Sequence, residues 1–314
     1  MMIVLYISSF VFILITALSV FVYLVPERVV NFALNATRKQ SGLVRKELTL
    51  PNGVHYAYLE GGQGKPLMLL HGFGGNKDTF TRVSRFLVKH YRVIIPDIIG
   101  FGESAHILHT DYSPSAQVER LRLLSEALNL KDLHLGGNSM GGQIALLYSA
   151  LYPTEVNSLW LLSPAGVWSA PKSDILKIIT KTGHNPLIAR NVKEFKNVMA
   201  LGMSKPPFIP PPMLKVLAQE RIQNTALEEV IFKEMLDHSI EDQISGIETP
   251  ALIVFGEQDH VIPLETANVL NKLLPNSKVV YVKKAGHVAM FEKPQQCAKD
   301  YVTFRESISK GVEN

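Results

Sequence analysis

Along most of this chain, apolar residues fall into short runs or two-residue alternations, and between several of these the spacing shifts to that of an amphipathic helix. The strand-like stretches are residues 54–59, 67–70, 92–96, 133–136, 158–162, 252–255 and 278–282; helical spacing covers 79–89, 114–128 behind Ser113, and 264–274. Strands alternating with helices predict an α/β fold, a mostly parallel sheet with helices on both faces. The rhythm breaks between residues 166 and 245, where several helical stretches flank Lys205-Pro206-Pro207-Phe208-Ile209-Pro210-Pro211-Pro212. A structureless loop of that length is improbable in a compact domain. A helical cap over 166–245 is therefore expected, inserted into a core of 47–165 and 246–314, with the prolines joining two cap helices.

The strand ending at Gly136 leads into Gly137-Asn138-Ser139-Met140-Gly141, and a helix-like run follows until Pro153. In that setting the G-x-S-x-G pattern places a serine on a sharp strand-to-helix turn with its hydroxyl exposed. Ser139 is the candidate nucleophile. Acyl transfer also needs backbone N–H donors aimed at the developing oxyanion. The turn Leu70-His71-Gly72-Phe73-Gly74-Gly75 and the residue after the serine can supply them, so Phe73 and Met140 are the expected donors. A phosphate-binding glycine loop would require a lysine and helix signature that this turn lacks.

Two later strand ends complete the set. Asp259 lies just beyond the strand 252–255, and His287 just beyond 278–282, giving the chain order Ser, Asp, His. Glu257 is a second acid at the same strand end. Asp97 is assigned instead to the turn Asp97-Ile98-Ile99-Gly100-Phe101-Gly102, and the strand ending at Leu162 is followed by Ser163, which offers no acid.

Composition changes the picture mainly at the N-terminus. Residues 1–25 carry no charged side chain, and a helix of that length reaches roughly 37 Å, enough to cross a hydrocarbon core of about 30 Å. A transmembrane anchor is expected there; the alternative is a cleavable signal peptide, which would normally open with a basic segment. Of the 32 basic and 28 acidic residues, Arg28, Arg38, Lys39, Arg45 and Lys46 face Glu27 alone in the first 46, leaving 27 of each elsewhere. A basic excess confined to 26–46 suits a juxtamembrane segment with the folded domain on the cytoplasmic face, a periplasmic or secreted location being the alternative. It does not suit nucleic acid, whose binders carry their charge on the folded domain. A lone Cys297 permits no intrachain disulfide.

From about residue 47 onward these motifs resemble the α/β-hydrolase fold family. More narrowly they resemble membrane-anchored monoacylglycerol lipases and related bacterial lipases of the Moraxella type. The matching stretches are His71-Gly72-Phe73-Gly74-Gly75-Asn76-Lys77-Asp78, Gly137-Asn138-Ser139-Met140-Gly141-Gly142, Ser158-Leu159-Trp160-Leu161, Pro164-Ala165-Gly166, Lys205-Pro206-Pro207, Gln219-Glu220-Arg221-Ile222 and Gly286-His287. The resemblance implies a serine hydrolase of lipid esters with Ser139, Asp259 and His287 as triad. It implies no metal or cofactor, and a cap offering Trp168, Phe195, Met199, Met203 and Phe208 as candidate acyl-pocket walls. Two alternatives remain. Hydrolases of carbon–carbon bonds in aromatic ring-fission products have a similar serine hexad, though they usually place tryptophan after the histidine, where this chain has Val288. A non-catalytic anchored scaffold would show a damaged triad, and every expected position is filled. Oligomeric state is not legible in the sequence.

Overall fold

A computed structural model describes residues 6–7 and 20–312. Among them, eight strands form one sheet: β1 (Val44–Thr49), β2 (His55–Gly61), β3 (Pro66–Leu70), β4 (Arg92–Pro96), β5 (Leu133–Asn138), β6 (Val156–Leu162), β7 (Ala251–Gly256) and β8 (Ser277–Val282). Their spatial order is β1-β2-β4-β3-β5-β6-β7-β8. The run from β4 to β8 is parallel, and β2 and β1 extend it in antiparallel steps.

A parallel sheet must be covered on both faces, and the period of two assigns side chains to each. Met68, Leu70, Leu135, Leu161 and Ile253 join one core, with the helices Pro114–Ala127, Met140–Leu151 and Glu265–Leu273. Their sequence neighbours Leu67, Leu69, Leu162, Leu252 and Val254 join the other, under the helix Pro294–Val312. Cys297 is buried in that second core, and burial pushes its thiol up to about 12.

β1 is the strand that the hydrophobic pattern misses. Val44-Arg45-Lys46-Glu47-Leu48-Thr49 is polar and mostly exposed, because an edge strand needs only backbone pairing on one side. Its charges are spoken for within the fold: Lys46 pairs with Glu60 at 2.7 Å, and Arg45 with Glu47 and Glu103. Arg38, in the helix Pro26–Gln40, forms a two-pronged pair with Asp78 at 2.8 and 2.6 Å. Three of the five basic residues of the expected juxtamembrane segment thus serve the domain itself. The expected anchor lies largely outside the described residues. Its described end, residues 20–24, is helical, and Pro26 then opens a new helix, a position where its missing N–H costs nothing. Among the described residues, no helix is long and apolar enough to cross a membrane.

Between β6 and β7 the chain forms helices Asp174–Thr182, Val192–Gly202, Pro211–Gln223, Thr225–Asp237 and Glu241–Ile244, with no strand. Their ends follow local chemistry. The Ser173 hydroxyl accepts from the Leu176 amide at 3.1 Å, Gly183 closes that helix at φ 69°, and the Asn191 side chain accepts from Glu194 at 2.9 Å. Residues 206–210 form no helix or strand, and Pro211 starts the next helix. The helix expected over 79–89 is shorter. A capping box at Asn76 starts a tight turn at Lys77–Phe80, and only Thr81–Ser84 is α-helical.

Candidate active site

Ser139 stands between β5 and the helix Met140–Leu151 at φ 54°, ψ −118°. A non-glycine residue held at positive φ costs on the order of 1–3 kcal/mol and persists only where its surroundings over-determine it. Here they do: the Ser139 amide donates to the Leu162 carbonyl, and its own carbonyl accepts from Gln143 and Ala165, each at 3.0 Å. Glycine is required at 141, since a Cβ there would lie 2.2 Å from the Leu70 carbonyl oxygen. That contact brings the helix N-terminus against the end of β3, where the glycine-rich turn begins.

The turn is fixed from behind by His71, a residue the sequence reading did not single out for a role. His71 is fully buried; its Nε2 accepts from the Ile98 amide at 3.0 Å and its Nδ1 donates to the Gly72 carbonyl at 2.8 Å. Burial lowers its pKa, against the opposing pull of Asp97 and Gly72, which keeps the ring in this neutral, one-donor form. The Gly75 amide also donates to the Gly72 carbonyl, at 3.0 Å. In a trans peptide the C=O and N–H point in opposite directions. Holding the Gly72 carbonyl toward His71 therefore turns the Phe73 N–H the other way.

At the far strand ends, His287 Nδ1 meets Asp259 Oδ2 at 2.9 Å, and Asp259 Oδ1 accepts from the amides of Val261 and Ile262 at 2.8 and 3.0 Å. Burial alone would raise the Asp259 carboxyl. The charge and hydrogen bond of His287, with the Ser163 hydroxyl and the Ile262 amide, outweigh it and hold the group below the usual carboxylate value. Glu257, the alternative acid, makes no ion pair with His287. Asp97 accepts from the amide of Lys77 at 2.6 Å and from its Nζ at 2.7 Å, so it braces the loop after the glycine-rich turn.

Three further residues join these parts; Asn138 and Arg221 stand in stretches that carry the family resemblance, but the sequence assigns none of the three a role. Asn138 Nδ2 donates to both the Leu162 and the His287 carbonyls at 3.0 Å, tying the serine turn to the histidine turn. Glu292 accepts from Gly286, Ser204 and Lys205 amides at 2.7, 3.1 and 2.9 Å, tying the histidine turn to the helical insertion. Arg221, from the Gln219-Glu220-Arg221-Ile222 stretch, lies against Gly74, where a Cβ would approach its Cζ to 2.2 Å. It is held there by a two-pronged pair with Glu228, both bonds 2.8 Å and both side chains buried. Removing one partner of a buried pair leaves an uncompensated charge, at a cost of about 3–5 kcal/mol. Glu228→Ala is expected to lower Tm by roughly 10 °C in a thermal melt. A change under 2 °C would show that water takes the place of the carboxylate.

Ser139 and His287 open on one cavity of about 480 Å³, which Gly72 and Phe73 also line. Phe195, Met199 and Met203 line it as expected. Trp168 and Phe208 do not. Phe208 is 89% exposed, on a proline-rich segment outside any helix, and Trp168 sits at the base of the insertion, its amide donating to Glu241. In their place stand Leu187, Val198, Ile209 and Leu217, with Leu34 and Thr37 from the N-terminal helix.

Comparison with known proteins agrees with this architecture. Lipase 1 of Psychrobacter immobilis is 41% identical over 274 residues, covering 85% of this chain and 86% of that one. Monoacylglycerol lipase ABHD6 of Mus musculus is 30% identical over 283 residues, 83% of this chain and 84% of the relative. A crystal structure described as a membrane phospholipase A, a bacterial virulence factor, superposes with a TM-score of 0.87 at 33% identity, covering 95% of this chain and 97% of that one. Residues 65–294 match the model of the alpha/beta hydrolase fold, so the chain belongs to the α/β-hydrolase family and is a hydrolase.

Proposed function

We propose that this protein is a serine carboxylic-ester hydrolase of lipase type, cleaving acyl glycerols or related lipid esters through an acyl-enzyme. The observation that carries this reading is the opening of Ser139 and of His287, itself paired with the buried Asp259, onto one cavity with mostly apolar walls. Asp259, ionised, accepts a hydrogen bond from the His287 Nδ1–H, which leaves Nε2 as the acceptor for the Ser139 hydroxyl proton. The serine oxygen attacks the ester carbonyl, and the amides of Phe73 and Met140 receive the oxyanion. His287 returns its proton to the departing alcohol. Water, deprotonated by the same histidine, then releases the fatty acid from Ser139. The helices over 166–245 act as a cap supplying Phe195, Met199 and Met203 to the acyl chain.

The lipase names of the relatives support a lipid ester as substrate. Membrane attachment through residues 1–25 is part of the same reading. It is supported by the uncharged sequence and by the exposure of Phe21, Tyr23 and Leu24 at its described end. Fatty-acid release from monoacylglycerols, triacylglycerols and p-nitrophenyl esters tests the assignment. A marked preference for a dienone ring-fission product over all esters would replace it with carbon–carbon bond hydrolysis.

A further inference from the structure

From Gly72 to Gly75, Phe73 alone carries a side chain, and the glycines on both sides leave the backbone there free to take many conformations. The bonds of the Gly72 carbonyl to His71 and Gly75 fix this turn from the core side. From the other side it is the Phe73 ring that is held. Phe232 and Phe101 meet it edge to face, with ring centres 5.1 and 5.7 Å away, and the Arg221 guanidinium lies over it at 5.7 Å. Phe232 belongs to the helix Thr225–Asp237 and Arg221 to Pro211–Gln223, both in the insertion. Phe101 is tied to the insertion as well, because the amide of the next residue, Gly102, donates to Glu220 at 2.8 Å. Arg221 is itself immobilised: besides its pair with Glu228, its Nη2 donates to the Leu187 carbonyl at 2.6 Å. All three contacts of the ring therefore lead into the insertion.

Resting on the ester-hydrolase reading, in which the Phe73 amide receives the oxyanion, we infer that Phe232 and Arg221 are positioning residues for that amide, so that the oxyanion site is complete only when the insertion is seated on the core. Neither side chain makes or breaks a bond in the reaction; both act through the Phe73 ring. Ring and amide belong to one residue between two glycines, so a shift of the ring moves the N–H with no neighbouring side chain to resist it. A donor must lie about 3 Å from the oxyanion, and a misplacement of about 1 Å costs on the order of 10²-fold in rate. Simple packing would behave differently. Loosening the wall of the cavity would raise KM and lower stability while leaving kcat in place.

The test uses the full-length protein with 1-oleoylglycerol and compares wild type with Phe232→Leu, which keeps apolar bulk but loses the ring, and with Arg221→Lys, which keeps the charge facing Glu228 but loses the planar group. Each is also titrated with a long-chain alkyl trifluoromethyl ketone. Ser139 Oγ bonds to its carbonyl carbon, the C=O π pair moves to the oxygen, and the serine proton passes to His287, so the bound form presents an oxyanion to the Phe73 and Met140 amides. The expected result in both variants is a kcat lowered between about tenfold and 10²-fold, with KM within about threefold of wild type. The inhibition constant of the ketone should rise by the factor that kcat falls, and the pH profile of kcat/KM should keep its wild-type inflection. A thermal melt shows that each variant is folded at the assay temperature; if Phe232→Leu is not, Arg221→Lys carries the same readouts. A kcat within about threefold of wild type in a folded variant overturns the inference, as does a fall in kcat without a matching rise in the inhibition constant. Both outcomes leave the ester-hydrolase reading intact. Absence of ester hydrolysis by wild type overturns that reading instead.

Discussion

Ser139→Ala is expected to abolish ester hydrolysis, with a fall in kcat on the order of 10⁵ to 10⁶, the scale at which a serine nucleophile acts in a triad. Alanine keeps the Cβ and the backbone bonds to Leu162, Gln143 and Ala165 that hold φ at 54°, so the turn and the melting temperature should be preserved. The measurement is fatty-acid release from a monoacylglycerol alongside a thermal melt. Hydrolysis at the wild-type rate by a folded variant would remove Ser139 from the chemistry, and with it the proposed acyl-enzyme.

Asp259→Asn should cost about 10⁴ in kcat with little change in KM, because an amide at that position favours the wrong imidazole tautomer without emptying the space. It also has a signature in stability. The Asp259 carboxyl is held below its usual value in the fold, so its contribution is complete above the unfolded value of about 4 and fades as pH falls through the folded value. Wild type should therefore exceed the variant in Tm most clearly near neutral pH, and the gap should narrow below about pH 4. Melts across pH 3 to 7 check this. A gap independent of pH would show that Asp259 is not a stabilised carboxylate. A kcat within tenfold of wild type would move the acid role to Glu257.

The inner strands were legible because they are buried on both faces and so read as apolar runs. β1 escaped for the opposite physical reason. It buries little, and its stability comes from backbone pairing to β2, which leaves no trace in side-chain pattern. The early arginines and lysines misled in the same way. Net charge by segment cannot register that Arg38 reaches Asp78, forty residues on, or that Arg45 reaches Glu103. Of the residues offered as acyl-pocket walls, Phe195 and Met199 reach the cavity because the helix Val192–Gly202 turns that face inward. Phe208 failed because a proline-rich stretch has no face to predict.

The sequence by itself determined the parallel α/β sheet, the helical stretch between its sixth and seventh strands, and the candidacy of Ser139, Asp259 and His287. These are local facts: a glycine pair flanking a serine at a strand end, and an acid and an imidazole at two later strand ends. Only the tertiary structure decided how they are held. The buried His71 that turns the Gly72–Phe73 peptide, the Asn138 amide and Glu292 carboxylate that link turns across the fold, and the Arg221–Glu228 pair against Gly74 all act between segments far apart in the chain. Their partners are mostly backbone atoms, which every residue possesses. No spacing or composition can announce such bonds, because their existence depends on where folding brings the chain together.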